Sequence, residues 1–252
     1  MLAALLVLLL GEEARYRHLA QRVAETQKTL AVFAHQLRSP LAALRKYNLF
    51  MRDKAFGKLS LTQIDVLGKM DAATDESVLL LNRLIAGSRI EEGKIESHPV
   101  RTDLCDCLEA AINAVAGFIE ERKHIVRFAS SARSIFVFAD PLLLHGIFDE
   151  ILQNAAVYTL PEGTITVTAK NVGNKASVTV RDTGIGIPPE EQGCIFEKFY
   201  RGKRAIDLYK NGHGLGLCFA QQFSKSMGGA IRFDSKKNKG TTFTVILPIA
   251  TT

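Results

Sequence analysis

The sequence predicts a chain of two folded parts, a helical hairpin followed by an α/β sandwich, and three observations carry that expectation. From Glu12 to about Lys54 there is no glycine and only one proline, and apolar residues recur at helical spacing. After Pro99 the pattern changes to short β-branched and aromatic runs separated by longer amphipathic segments. Hydrophobic residues make up 47% of the 252-residue chain and no low-complexity tract interrupts it, which excludes a disordered protein. Three stretches follow: an apolar start at residues 1–11, the hairpin at 12–95 and the sandwich at 99–252.

Met1 to Leu10 are apolar without interruption and stop at Gly11-Glu12-Glu13. A spanning helix needs about 20 such residues, and the basic start and small-residue cleavage pattern of a signal peptide are missing. Three readings fit: the end of a membrane helix that would anchor the chain, an extension of the first helix's apolar seam, or a short interfacial anchor.

In the hairpin, Leu30, Ala34, Leu37, Leu41 and Leu44 step by four and three and form a seam facing another helix. His35 lies on the flank of that seam, where a ring nitrogen meets solvent, and Ser39 lies one turn on. Pro40 has no N–H, so the Gln36 carbonyl loses its helical partner and a kink is expected there. A break at Phe56-Gly57-Lys58-Leu59-Ser60 precedes a second helix capped by Ser60 or Thr62. Its seam, Ile64, Leu67, Val78, Leu81 and Ile85, runs to about Arg89, and Gly93 signals its end. Two helices alone cannot bury one seam, which a homodimeric four-helix bundle would solve. A plain coiled-coil spacer fits the same positions.

In the second part, helices are expected at about 103–122, 141–158 and 214–227. Strands are expected at Ile125–Ala129, Ile135–Phe138, Thr164–Lys170, Ala176–Arg181, Ala230–Asp234 and Thr241–Pro248. The third and fourth form a hairpin turned at Asn171-Val172-Gly173-Asn174. The result is one mostly antiparallel sheet with helices on one face. Cys105, Cys107, Cys194 and Cys218 show no CxxC pair and no zinc-ligand spacing, so reduced thiols are expected. The net charge of +6 is spread without basic runs interleaved with aromatics, which argues against nucleic acid and leaves attraction to phosphates or an anionic membrane face.

Four clusters here carry chemistry. Glu150 and Asn154 are four apart on a helix that ends at Tyr158, so their oxygens share a face and suit a hard, oxygen-seeking ion such as Mg²⁺. Asp182-Thr183-Gly184-Ile185-Gly186-Ile187 follows a strand, with a carboxylate able to accept from an amino group and glycines that admit a close ligand. Phe196-Glu197-Lys198-Phe199-Tyr200-Arg201 offers aromatics for packing against a flat ring. Gly212-His213-Gly214-Leu215-Gly216-Leu217 opens a helix, where exposed N–H groups suit phosphate oxygens. The polar stretch Gly202–Asn211 between the last two, with Lys203, Arg204 and Lys210, suits a mobile phosphate-attracting lid. Each cluster alone also fits surface decoration, a tight turn or a core pair.

In this order the clusters resemble the N, G1, F and G2 boxes of the ATP-binding domain shared by sensor histidine kinases, DNA gyrase, the Hsp90 chaperone and mismatch-repair MutL proteins, the GHKL or Bergerat fold. His35-Gln36-Leu37-Arg38-Ser39-Pro40-Leu41 resembles the H box of a dimerisation and histidine-phosphotransfer domain, and Lys239-Gly240-Thr241 looks like the last glycine motif. The resemblance runs from about residue 25 to the C-terminus. It implies a cytoplasmic, ATP-dependent sensor histidine kinase of a two-component system, attached to the inner face of the cell membrane if the apolar start is an anchor. The adenine amino group would sit on Asp182 and the ring near Tyr158. Gly184, Gly186, Ile187, Phe199, Arg201, Gly212, Gly214, Leu215, Gly216 and Thr241 would shape the pocket. Asn154 with Glu150 would hold Mg²⁺. The γ-phosphoryl would pass to His35 and on to an aspartate of a separate response regulator.

Three positions depart from the family pattern. Gln36 replaces an acidic residue, and an amide orients a ring but cannot take its proton. Ser39 replaces the usual threonine and keeps the hydroxyl. Val157 stands where a basic residue often lies near the phosphates, so Arg201 or Lys203 would have to compensate. The first departure admits a kinase-weak member acting mainly as a response-regulator phosphatase or scaffold. A conformational ATPase, with Glu150 as base, and a coiled-coil adaptor are weaker rivals.

Overall fold

The computed structural model describes residues 37, 39–52, 57–91, 98–210 and 212–250, with the backbone alone for 76 and 79–91. Met1–Leu10, His35 and Gln36 lie outside the described residues. The chain divides into two compact units between Ile95 and Glu96.

The first unit pairs α1 (39–51) with α2 (Leu61–Glu91). Ser60, rather than Thr62, caps α2. Its Oγ accepts the Gln63 N–H at 3.2 Å while Gln63 Oε1 accepts the Ser60 N–H at 2.8 Å, a reciprocal capping box. The helices run antiparallel, tied by polar bonds at matched positions. Asn48 donates to the Leu67 carbonyl at 2.8 Å and to the Asp71 carboxylate. Arg52 pairs with Asp71 at 3.0 Å. Asn48 and Leu67 are the buried residues among those described in this unit, whereas the seam positions Leu37, Leu44 and Ile64 are about half exposed. No helix among the described residues is long and apolar enough to cross a membrane.

The second unit runs β1 (Val100–Asp103), α3 (Leu104–Ala114), α4 (Ala116–Arg122), β2 (Ile125–Ser130), β3 (Phe136–Ala139) and α5 (Pro141–Tyr158). It continues through β4 (Thr164–Val172), β5 (Lys175–Asp182), α6 (Lys203–Leu208), α7 (Gly216–Ser226), β6 (Ala230–Lys236) and β7 (Gly240–Pro248). The expected single sheet is two. A five-stranded sheet has the order β2-β4-β5-β7-β6, and β1 pairs with β3 separately. Within the larger sheet β2 and β4 are parallel and the other pairs antiparallel. The expected 103–122 helix is also two, because Val115 leaves helical geometry at φ −99°, ψ 9° just before the poor helix former Gly117. In the β4–β5 hairpin the strands pair as far as Val172 and Lys175, so the turn shrinks to Gly173-Asn174.

α5 starts where the sequence says it should. Asp140 accepts the N–H groups of Leu142 (2.9 Å) and Leu143 (3.4 Å), and Pro141, which has no N–H to lose, takes the first turn. Its apolar side, with Ile147, Phe148 and Ile151 fully buried, lies between α3 and α7 and over the sheet. Ile165 and Val167 of β4 and Val178 of β5 complete this core at alternate strand positions. All four cysteines are free thiols.

Candidate functional site

α5 is the wall of the site. Glu150, Asn154 and Tyr158 recur every four residues and therefore form one row along the helix. Glu150 is buried, while Asn154 and Tyr158 are half-buried. The glycine that begins α7 stands against the Glu150 carboxylate, because a Cβ on Gly216 would lie 1.6 Å from Glu150 Oε2. The start of an 11-residue helix therefore meets the acidic end of the row.

At the other end of the row lies Asp182, the last residue of β5 and buried. Its Oδ1 accepts the Gly184 N–H at 2.8 Å and the Thr241 N–H at 3.2 Å. Burial pushes the carboxyl up to about 6, against the opposing pull of those backbone donors. Both of these bonds fall on Oδ1, and the Asp182 N–H also favours the ionised carboxylate. The loop that follows is shaped by close backbone approach. A Cβ on Gly184 would lie 2.3 Å from the Tyr158 carbonyl oxygen, which accepts the Ile185 N–H at 3.1 Å. Gly186 has φ +60° and passes so near the Lys236 carbonyl that a Cβ would come within 2.1 Å of its oxygen. Ile187 donates its N–H to Ser235 Oγ at 2.8 Å.

Six residues of the lid segment form α6. Arg201 organises it. The guanidinium donates to the carbonyls of Ala205 at 3.3 Å, Lys210 at 3.1 Å and Tyr209. Gly212 lies beside the same group, and Arg201 also hydrogen-bonds the Tyr158 side chain. Burial pushes the Tyr158 phenol up, opposed by the Arg201 charge and hydrogen bond. Arg201 is thus occupied with the lid and α5. Lys203 is exposed. Val157, which departs from the basic residue of the family pattern, is buried in the core.

The aromatic cluster divides. Phe196 packs edge-on against Phe233, 5.8 Å between centroids, whereas Phe199 is 66% exposed at φ 64° with its N–H on the Gly214 carbonyl at 2.8 Å. Leu215 is buried ahead of α7. The structure therefore brings Glu150 against Gly216, Asp182 against Gly184 and Thr241, Tyr158 against Gly184, and Arg201 against Gly212, with Asn154 in the Glu150–Tyr158 row. Ser39 is exposed on α1 in the other unit.

No group of three or more His, Cys, Asp or Glu able to hold a metal occurs among the described residues. Glu150 and Asn154 are nevertheless a hard-oxygen pair one turn apart, suited to an ion that keeps several waters and completes its shell with phosphate oxygens. Several supporting contacts escaped sequence reasoning, among them those of Arg204, which the sequence offers only as a lid cation. Arg122 donates to the Val157 carbonyl at 2.7 Å and holds the end of α5. Arg204 reaches Ile185 O at 3.3 Å and Asn238 Oδ1 at 2.8 Å. Ser235 and Gln192 hold Ile187. None stands in a motif, and only their distant partners reveal them.

Residues 139–251 match the family model described as histidine kinase-, DNA gyrase B-, and HSP90-like ATPase. The chain is 30% identical over 221 residues to the circadian input-output histidine kinase CikA of Synechococcus elongatus, covering 87% of this chain and 29% of that protein. It is 30% identical over 239 residues to the sensor histidine kinase RppB of Synechocystis sp., covering 92% of this chain and 51% of that one. The chain thus spans about half or less of the length of these curated relatives. Among solved structures it resembles full-length ShkA in complex with AMPPNP, with TM-score 0.70 and 25% identity over 89% of this chain and 46% of that one.

Proposed function

We propose that this chain, which belongs to the sensor histidine kinases of two-component systems, transfers the γ-phosphoryl of Mg-ATP to His35 and then to an aspartate of a response regulator. The observation that carries the reading is the row on α5, with the Asp182 carboxylate at one end and the Gly216 helix start against Glu150 at the other. An acceptor for an amino group at one end and a phosphate-favouring helix terminus at the other suit a nucleotide laid along that row.

In this reading the Asp182 carboxylate accepts from the adenine amino group, the backbone from Gly184 to Ile187 lines the base, and Tyr158 borders the ring. The α7 terminus and the loop from Gly212 to Gly216 take the phosphates. Glu150 and Asn154 hold Mg²⁺, which when bound neutralises charge on the phosphate oxygens. The His35 ring nitrogen forms the new P–N bond as the bond to the ADP oxygen breaks, and the ring proton is lost to solvent because the Gln36 amide cannot accept it. Ser39 beside it provides a hydroxyl for orienting water in the reverse, phosphatase direction. The half-exposed Leu37, Leu44 and Ile64 support a homodimer that buries them.

The test is incubation with γ-labelled Mg-ATP. Acid-labile, base-stable label on wild type that vanishes in His35→Ala supports the reading, and a gain in Gln36→Glu shows that the amide restrains the kinase. Bound nucleotide without label in wild type or Gln36→Glu overturns the kinase assignment and favours a phosphatase or scaffold.

A further inference from the structure

Behind the base end of the site lies a hydrogen-bond network that the proposed function does not use. Ile187, outside any helix or strand, has both backbone groups held: its N–H by Ser235 Oγ at 2.8 Å and its C=O by Gln192 Nε2 at 3.0 Å. The same Gln192 amide donates to the Ser235 carbonyl at 3.0 Å. Ser235 Oγ in turn donates to the Gly240 carbonyl at 3.1 Å and lies 2.9 Å from Thr241 Oγ1.

Counting protons fixes the directions. A serine hydroxyl has one proton and two lone pairs. The proton goes to the Gly240 carbonyl, and one lone pair takes the Ile187 N–H. The Thr241 hydroxyl must therefore donate to the other lone pair. Ser235 is then saturated, and the Thr241 side chain is turned to it. Thr241, held in the β6–β7 ladder opposite Ser235, gives its N–H to Asp182 Oδ1, 3.2 Å away. One hydroxyl thus touches both edges of the loop: Ile187 at its far end and Thr241, the residue whose N–H meets the carboxylate at its start.

We propose that Ser235, seconded by Gln192, is a positioning residue for base recognition that holds the Asp182 carboxylate and the Gly184–Ile187 backbone in their binding geometry. The proposal rests on reading the Asp182 pocket as the nucleotide site and adds to it two residues that touch no ligand.

The readout follows from the charge on Asp182. Burial raises its pKa, the Gly184, Thr241 and Asp182 N–H groups lower it, and no charged side chain is among the influences on it. Its loop and β7 offer Thr183, Gly184, Gly240 and Thr241. α5 offers Tyr158, whose phenol is pushed upward and stays neutral throughout the acid range. A ligand amino group needs the ionised carboxylate, so affinity is full above the midpoint and lost as pH falls through it. Loosening Thr241 removes a donor, raises the pKa and moves that midpoint upward.

The experiment is calorimetric titration of the full chain with AMPPNP and Mg²⁺ between pH 5 and 8, with a thermal melt of each variant. Ser235→Ala is expected to bind about tenfold more weakly at pH 7, the scale of one lost hydrogen bond to a part-buried group, with its pH midpoint moved up. Gln192→Ala moves both in the same direction by less, and Ser235→Thr, which keeps the hydroxyl, restores both. Weaker binding with an unmoved midpoint would mark general loosening and overturn the proposal. So would Ser235→Ala and Gln192→Ala binding as wild type does. A wild type that binds no nucleotide would overturn the reading of the pocket itself.

Discussion

The two units bury their side chains on different principles. In the second, whole residues such as Phe148, Ile151 and Phe219 are sealed between helices and sheet. In the first, Asn48 and Leu67 are buried among the described residues, and the seam positions Leu37, Leu44 and Ile64 are about half exposed. A closed core holds a preformed site at fixed geometry, as the Asp182 loop requires. An open seam with a polar tie at Asn48 suits a helix pair that completes itself against another copy. One unit seals a core behind the candidate site, and the other leaves apolar helix positions about half exposed among the described residues.

Removing a sealed side chain should break that contrast most severely. Phe148→Ala empties the core behind α5 and is expected to cost about 3–5 kcal/mol in chemical denaturation. A similar loss from Leu67→Ala in the hairpin would erase the distinction between the units. Gly186→Ala comes next. Its left-handed φ and the nearby Lys236 carbonyl together cost about 1–3 kcal/mol, and nucleotide affinity falls with it. A variant that melts and binds like wild type would show that the loop is not held as described.

Acid should act on the second unit through Asp182. Asp182 is raised to about 6 by burial, so nucleotide affinity falls as pH drops through that value, by about tenfold at pH 5. Stability has the opposite sign. The folded state binds the proton more tightly than the unfolded chain, so this group's contribution is present in acid and lost as pH rises toward 6. The smallest effect belongs to the hairpin surface. Arg45 and Asp75 are 3.7 Å apart with both side chains largely exposed, so Arg45→Ala should change stability by less than about 0.5 kcal/mol.

Local signals were readable from the sequence. The Asp140-Pro141 start fixes α5, and period-two alternation on both sides of Gly173 fixes the β4–β5 hairpin. The glycine and asparagine clusters are contiguous, so the candidate site was legible as parts before it was legible as a place. What escaped depends on distant partners. β1 is four residues paired with β3 across the chain, and nothing local marks it as a strand. α6 forms in a polar stretch because Arg201 takes the carbonyls at its end. Val157 reads as a departure in a phosphate site until its side chain is seen in the core. Ser235 is one serine in an alternating strand until Ile187 and Thr241 arrive beside it.

The most direct test is calorimetric titration of AMPPNP and Mg²⁺ into the full chain and into Asp182→Asn. The amide keeps an oxygen for Gly184 and Thr241 but loses the charge that receives an amino group, so the fold should survive while recognition fails. One site per chain in wild type, weakened about tenfold or more in Asp182→Asn at unchanged melting temperature, is the predicted result. Equal affinity in the two proteins, or no binding in wild type, would contradict it.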